Sequence, residues 1–390
     1  MKLRKDTWKS SKIGDVCDTT SGGTPLRNKY EYYNGEIPWI KSGELHNKYV
    51  FDSEEKITEM GLKNSSAKLF PINTILIAIY GVTSGTCAIL KKEAATNQAV
   101  CGILPNENIL NHEFLYNVLT YRKEDIFKKR VGTYQMNVSQ GVIRETEIPL
   151  PPLEEQKQIA ALFQSIETAM EQVDGQERNL KRLWLRLVDE FVSDKPSFGN
   201  LLTGKKLQSV NYCDVTEKIM RRIEPESYGI VKIIGGEHLK AEDFKIRTWD
   251  TVGKDPLGPA FHVLFKPRDI LYGSRRTYLK KVALAEFEGV CANTTYVIRA
   301  NEKVLLQDLL KHIMLSQRFT HYSIGVSKGS TNPYINWKDL DNFSFQIPDI
   351  ETQKKIVKVL DEILEIREQL KQQKTTLKHL KQKLLNEILG

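Results

Sequence analysis

Ile148-Pro149-Leu150-Pro151-Pro152-Leu153-Glu154-Glu155-Gln156-Lys157-Gln158-Ile159 opens a long stretch with apolar residues spaced in sevens. Phe345-Gln346-Ile347-Pro348-Asp349-Ile350-Glu351-Thr352-Gln353-Lys354-Lys355-Ile356 opens a second one, 197 positions later. A repeat of that length is a whole domain plus a helix, duplicated, and not a small solenoid unit. The register holds residue by residue: Ile159, Ile166, Val173, Leu180 and Leu187 are matched by Ile356, Ile363, Leu370, Leu377 and Leu384. A second line, Phe163, Met170, Trp184 and Phe191, matches Leu360, Arg367, Lys381 and Ile388 less well, and Glu177 and Lys374 interrupt it. Apolar residues that keep a seven-residue phase in both copies indicate coiled-coil pairing. The alternative is a pair of amphipathic core helices lying on separate domains.

Each helix should run roughly forty residues, on the order of 60 Å at 1.5 Å per residue. The chain passes from the first globular segment along one helix to the second segment and returns along the other helix. An antiparallel pair therefore closes the molecule with pseudo-twofold symmetry. The linker Ser193-Asp194-Lys195-Pro196-Ser197-Phe198-Gly199-Asn200 carries the Pro and Gly that break the first helix. The expected division is 1–150 for the first domain, 151–192 for a central helix, 193–346 for the second domain and 347–390 for a C-terminal helix.

Both globular segments read as mixed α/β (α+β) with short strands. Runs such as Ile37–Ile40, Thr74–Tyr80 and Ile230–Ile234 stand between Gly, Asn and Ser clusters. One helix is expected late in each, over Asn111–Tyr121 and Leu305–Phe319. Framework positions recur with small shifts. Val16-Cys17-Asp18 matches Tyr212-Cys213-Asp214, Ser42-Gly43-Glu44 matches Gly235-Gly236-Glu237, and Thr96-Asn97 matches Ala292-Asn293. Residues between these positions differ, as expected of two related scaffolds that bind different targets.

Composition narrows the class. The 390 residues have room for two domains of about 150 residues and the helices. A formal charge of +8 points to a polyanionic partner without identifying it. Five cysteines with no C-x-x-C spacing imply neither a disulfide framework nor a zinc site, which fits a reducing compartment. The longest apolar run, Thr74–Tyr80, is too short to span a bilayer, so a soluble, cytoplasmic protein is expected.

The paired proline-rich helix entries resemble those of the specificity subunit of type I restriction–modification enzymes. So do the Trp8-Lys9-x-x-Lys12-Ile13-Gly14-Asp15-Val16 opening, the Ser21-Gly22-Gly23-Thr24-Pro25 loop, Ile37-Pro38-Trp39-Ile40 with Ser42-Gly43-Glu44, and Gly132 followed by Val138-Ser139. The likeness covers essentially the whole chain. It implies two target-recognition domains, each reading half of a split, double-stranded DNA sequence. The helices would space them and dock two adenine methyltransferase (modification) subunits, with ATP-dependent restriction subunits joining afterwards. One departure is plain: Glu217-Lys218-Ile219-Met220-Arg221-Arg222 stands where the first domain has its Gly-Gly-Thr-Pro loop, so residue roles do not carry across.

Sequence readout needs planar or bidentate donors at base edges, framed by cations on phosphates. Tyr272-Gly273-Ser274-Arg275-Arg276-Thr277-Tyr278-Leu279-Lys280-Lys281 concentrates both; Arg275 and Arg276 suit guanine or phosphate, and Lys280 and Lys281 suit phosphate. Its counterpart, Tyr80-Gly81-Val82-Thr83-Ser84-Gly85-Thr86, is neutral and glycine-rich. Near the domain ends, Gln135, Asn137 and Asn332 have the amide geometry that matches adenine. The nominated DNA-binding residues of the first domain are Ser21, Gly22, Gly23, Thr24, Lys41, Ser42, Tyr80, Thr83, Ser84, Thr133, Tyr134, Gln135 and Asn137. Those of the second are Arg221, Arg222, Tyr272, Ser274, Arg275, Arg276, Tyr278, Lys280, Lys328, Ser330, Thr331, Asn332 and Tyr334. For any single one, the competing reading is an ordinary solvated turn.

Catalytic motifs fail. Gly199–Lys206 resembles a phosphate loop, but Lys206 replaces the required hydroxyl and no strand precedes it. Asn332-Pro333-Tyr334 lacks the second proline of an adenine methyltransferase motif. Glu242-Asp243-Phe244-Lys245 has no second metal-binding acid, and the histidines lack ligand spacing. No catalytic residue, metal or cofactor is therefore expected, and chemistry should reside on a partner. The rival functional class is a coiled-coil adaptor with two protein- or polyanion-binding modules; an autonomous enzyme is the third.

Overall fold

The computed structural model describes residues 5–81, 83–128, 138–224, 229, 232–251, 253 and 258–390. The chain packs as two compact units, one made of residues 1–172 with 374–390 and the other of residues 173–373. Both long helices, Leu153–Phe191 and Ile350–Leu389, contribute a stretch to each unit.

In the first unit, Val100–Pro105 lies between Cys17–Ser21 and Ile75–Ala78 in a five-stranded sheet that continues through Cys87–Leu90 to Tyr49–Val50. Successive side chains of a strand point to opposite faces. Ile75 and Ile77 accordingly join Ile103, Phe114, Val118 and Phe163 in one core, while Leu76 and Ala78 join Phe70, Leu90 and Val100 in another. With both faces covered, these strands read as continuous apolar runs. A second sheet pairs Tyr33–Ile40 in parallel with Ala94–Thr96, with Trp39 opposite Ala95. The strand Lys9–Lys12 pairs with Glu147–Leu150, so the chain enters and leaves the domain side by side.

The second unit repeats this plan internally. Thr295–Ala300 lies between Thr216–Ile219 and Ile270–Gly273, Lys232–Ile234 runs parallel to Gly289–Ala292, and Gln208–Asn211 pairs with Ser344–Ile347. Ile270 and Tyr272 enter one core, and Leu271 and Ala283 enter the other. The expected helix at Asn111–Tyr121 forms over His112–Tyr121, with the Asn111 side chain accepting from the Phe114 N–H. The expected helix at Leu305–Phe319 divides instead into Gln307–Ile313 and Gln317–Gly325. Ser316 turns extended there, and its hydroxyl caps the second piece by accepting from the Phe319 N–H.

The seven-residue pattern forms paired antiparallel helices inside each unit. In the first, Ile159, Ala160 and Phe163 share a core with Leu385, Ile388 and Leu389, while Glu167 meets Lys381 at 2.5 Å. In the second, Trp184 and Val188 share a core with Ile356, Leu360 and Ile363, while Glu177 meets Arg367 at 2.6 Å. Glu177, which interrupts the less apolar line, is thus paired with a buried arginine.

The glutamine in each helix entry fastens helix to domain. Gln156, fully buried, accepts from the Asn111 N–H (2.8 Å) and donates to the carbonyls of Ile109 (2.9 Å) and Pro151 (2.8 Å). Gln353 does the same with the Leu306 N–H (3.0 Å), Val304 O (2.8 Å) and Pro348 O (2.9 Å). Leucine at either position keeps the volume but strands three buried backbone groups. Gln156→Leu or Gln353→Leu should therefore cost about 2 kcal/mol in urea unfolding, and an unchanged midpoint would show the amide to be dispensable.

A further buried connection sits in the second unit. Trp184 Nε1–H donates to His312 Nδ1 (3.1 Å), and His312 Nε2 lies 2.9 Å from Asp361, which also meets Lys311 at 2.9 Å. Burial lowers the His312 pKa to about 4. An unfolded histidine protonates near pH 6.5, so between those values the unfolded state binds more protons and acid favours it. Stability should be complete near pH 7.5 and fall by about 2 kcal/mol near pH 5. Unfolding curves of the native protein and of His312→Gln test this; an unchanged acid slope in the variant would assign the effect elsewhere.

Candidate nucleic-acid interface

In the second unit, the two nominated loops meet although they are some fifty residues apart in sequence. Arg275 bridges to Tyr334, and Lys328 pairs with Tyr334 in both directions (N–H to O, 2.8 and 2.9 Å). The Ile335 N–H donates to Ser274 O at 2.9 Å, and the Arg276 N–H donates to Pro333 O at 2.6 Å. Arg276 Nε also donates to Asn332 Oδ1 at 3.1 Å. The strand Ile270–Gly273 thus ends in a turn, Thr277–Leu279, braced by the segment around 327–335.

Within this braced pair, Arg275, Arg276, Tyr278, Lys328, Ser330, Thr331 and Tyr334 are exposed, and Asn332 is half-buried. Tyr272 is buried in the core, and Ser274 is buried with its hydroxyl donating to Thr294 O at 2.6 Å. Lys280 is engaged with Glu242 at 3.5 Å, and Lys328 with Asp339 at 3.2 Å. Arg221 lies 3.1 Å from Asp269, a fully buried carboxylate that also holds Arg299 and accepts from the Lys266 N–H. Arg222 is exposed one residue further on. Sequence reasoning gives Asp269 and Glu242 no part in DNA binding; Glu242 figures only in a nuclease-like fragment that is set aside. Burial opposes the charge of Glu242, but its hydrogen bond and proximity to Lys181, 2.5 Å away, hold the carboxyl below the usual range.

In the first unit the corresponding turn is a hairpin of Ala78 and Thr86. The Gly85 N–H donates to Ala78 O (2.7 Å), the Ala78 N–H donates to Thr86 O (2.9 Å), and Gly81 and Gly85 supply φ of 76° and 78°. Tyr80 is exposed, Thr83 half-buried and Ser84 buried. The Val138 N–H donates to Ile79 O (3.0 Å), as the Ile335 N–H does to Ser274 O in the second unit. Thr133, Tyr134, Gln135 and Asn137 lie outside the described residues.

The Ser21–Thr24 segment sits beside a different group. The Gly22 N–H donates to Val100 O (3.1 Å), the Gly23 N–H to Thr96 O (2.9 Å) and Trp39 Nε1–H to Gly23 O (2.9 Å). Ser21 ends its strand, and the Thr24 hydroxyl is bonded to Gln98. Lys41 pairs with Glu55 at 3.0 Å, and Ser42 opens a short turn behind it. That hydrogen bond raises the Lys41 pKa; the Glu55 carboxyl is lowered by Arg27 first and by Lys41 second. Arg27 also stacks at 4.8 Å on both Tyr33 and Trp39.

Other chemistry is sparse. All five cysteines are free thiols, and four are buried. Glu237, His238 and Asp250 could surround an ion, but His238 Nδ1 already accepts from the Gly235 N–H (2.9 Å). That bond leaves the ring proton on Nε2, which removes the lone pair an ion would need. Among the described residues, no helix is long and apolar enough to cross a membrane.

Comparison with known proteins gives a consistent picture. The family model described as type I restriction modification DNA specificity domain matches residues 5–181 and again 205–379. The chain is 27% identical over 383 residues to the type I restriction enzyme MjaIX specificity subunit of Methanocaldococcus jannaschii, covering 89% of this chain and 84% of that one. It is 32% identical over 167 residues to the EcoR124I/EcoR124II specificity subunit of Escherichia coli, 41% of each chain. The fold is similar to the S subunit of a type I restriction–modification system from M. genitalium (TM-score 0.59, 16% identity, 100% and 98% coverage). It is also similar to a chain solved in work on complex assembly and conformational transition of the type I R-M system (TM-score 0.62, 19% identity, 97% of each).

The glycines at 22 and 23 owe their identity to packing. A Cβ on Gly23 would stand 2.3 Å from the Ser66 carbonyl carbon, which is backbone and cannot rotate away. Gly23→Ala should lower stability by about 1–3 kcal/mol in thermal or urea melts; an unaffected melt would mean that the segment is free to shift.

Proposed function

Since the chain belongs to the type I restriction modification DNA specificity domain family, we propose that it is the specificity subunit of a type I restriction–modification complex and reads a bipartite double-stranded DNA target. The observation that carries this reading is the duplication. The family match occurs twice, and each domain feeds a helix of about forty residues through the same buried glutamine. In this reading residues 1–150 and 193–346 are the target-recognition domains, each contacting one half-site, and the helices 151–192 and 347–390 set the gap between the half-sites.

The subunit is non-catalytic in this proposal. Adenine methylation falls to two modification subunits docked on the helices, which must flip the target base out of the stack, and cleavage falls to ATP-dependent restriction subunits. Loops supply base contacts and lysines supply phosphate contacts, so affinity falls as salt rises. An adaptor without sequence preference leaves the specificity-family match unaccounted for.

Methylome sequencing of a host expressing the chain with its partners should yield a methylated motif of two short halves around an unspecific gap. Replacing residues 1–150 with a homologous domain should change one half only. Deleting seven residues from each helix should shorten the gap by about three base pairs, given 1.5 Å per helical residue and 3.4 Å per base pair. A continuous methylated motif contradicts the proposal.

A further inference from the structure

Six non-glycine residues among those described have positive φ, and three of them form one bonded group: Glu242 (55°), Arg276 (51°) and Lys280 (49°). The Arg276 N–H donates to Pro333 O (2.6 Å), Leu279 to Arg276 O (2.8 Å), Lys280 to Thr277 O (2.9 Å) and Glu242 to Lys280 O (3.1 Å). L-residues rarely adopt this backbone. Where it persists, the surroundings over-determine it, and such positions gather at functional sites.

The cations of this turn divide sharply. Lys280 is tied to Glu242 and Lys328 to Asp339, while Lys281 donates to Gly236 O. Among the described residues of the two loops, Arg275, Arg276 and Lys281 have no carboxylate partner, and Lys281 is already held by a backbone carbonyl. Arg275 has no side-chain bond there, whereas Arg276 Nε is held at 3.1 Å by Asn332 Oδ1. That one bond sets the guanidinium plane and leaves both terminal nitrogens free. Resting on the proposed DNA-specificity function, we infer that Arg276 reads a guanine in the half-site of the second domain, with Asn332 as the residue that positions it.

The chemistry fits that base. Two parallel N–H donors on one planar edge match guanine O6 and N7. Asn332 Oδ1 accepts from Arg276, which ties the amide to the guanidinium and makes Arg276 the group it orients. Arg275, whose exposed side chain makes no bond, suits a phosphate, which positions the protein without selecting sequence.

The test uses the full chain with its modification partner, selected against randomised duplexes and then titrated with salt. The native protein should require a G·C pair in the half-site that survives replacement of residues 1–150, with a wrong pair costing about ten- to a hundredfold in affinity. Arg276→Gln should lose that requirement at one position and keep the melting temperature, with at most the uniform loss and the salt-slope change of one removed charge. Asn332→Ala should weaken the same requirement at the same position only. Arg275→Ala should weaken all duplexes alike and reduce the salt slope by about one. Unaltered selectivity in Arg276→Gln, even with a uniform loss across sequences, overturns the assignment while leaving the specificity function standing. A native protein that selects no sequence overturns both.

Discussion

Everything in this molecule hangs from a carboxamide buried in the first turn of each long helix. The first turn of a helix leaves backbone N–H groups without partners, and the residues before it leave carbonyls that must be satisfied if buried. Gln156 and Gln353 answer that demand by joining three backbone groups from two elements at once. The helix direction is thereby set by its own domain. Apolar packing alone, being non-directional, would allow the helix to slide or pivot on the same core.

Polar groups along the helices have a related role. Glu167 lies between Lys48 (2.6 Å) of the domain and Lys381 (2.5 Å) of the opposing helix, and Glu177 holds the buried Arg367. Such pairs contribute little net stability, because desolvation offsets most of the attraction, but a slipped register would leave a charge buried alone. Apolar lines of Ile, Val, Leu, Phe and Trp supply the association, and these few charges specify the alignment. Burial and pairing compete at Glu167 as well: desolvation raises the carboxyl, yet its bonds to Lys381 and Lys48 leave it below the usual range.

How much of this could be read from the chain depends on the range of each interaction. The duplication and the helices follow from a period carried by every seventh residue, and the antiparallel pairing from the path of the chain between the two segments, so they were legible directly. The helix over 111–121 was legible too, and Ser316 shows the limit of such a reading. Serine in that helical stretch can be read as a cap or as an interior residue, and only the surrounding core decides. The bond from Arg276 to Asn332 spans 56 positions and rests on a backbone that arginine disfavours, so no local propensity announces it. Tyr272 and Ser274 have the composition of a recognition loop but belong to the core beneath it. The roles of Glu242 and Asp269 were illegible for the opposite reason: common acidic residues acquire a role only from the cations folded around them.

The core of the first unit is shared between segments made far apart in time. Ile159 and Phe163 are covered by Leu385, Ile388 and Leu389, which a ribosome adds more than 200 residues later. During synthesis the nascent first unit must therefore present a bare apolar stripe while the second unit is still being made. Exposed stripes of this kind invite aggregation, and chaperones act on such intermediates. Nicking by a protease anywhere between these segments would endanger a domain whose own sequence is untouched. The coupling makes the integrity of the whole polypeptide a condition for maturation of its earliest part.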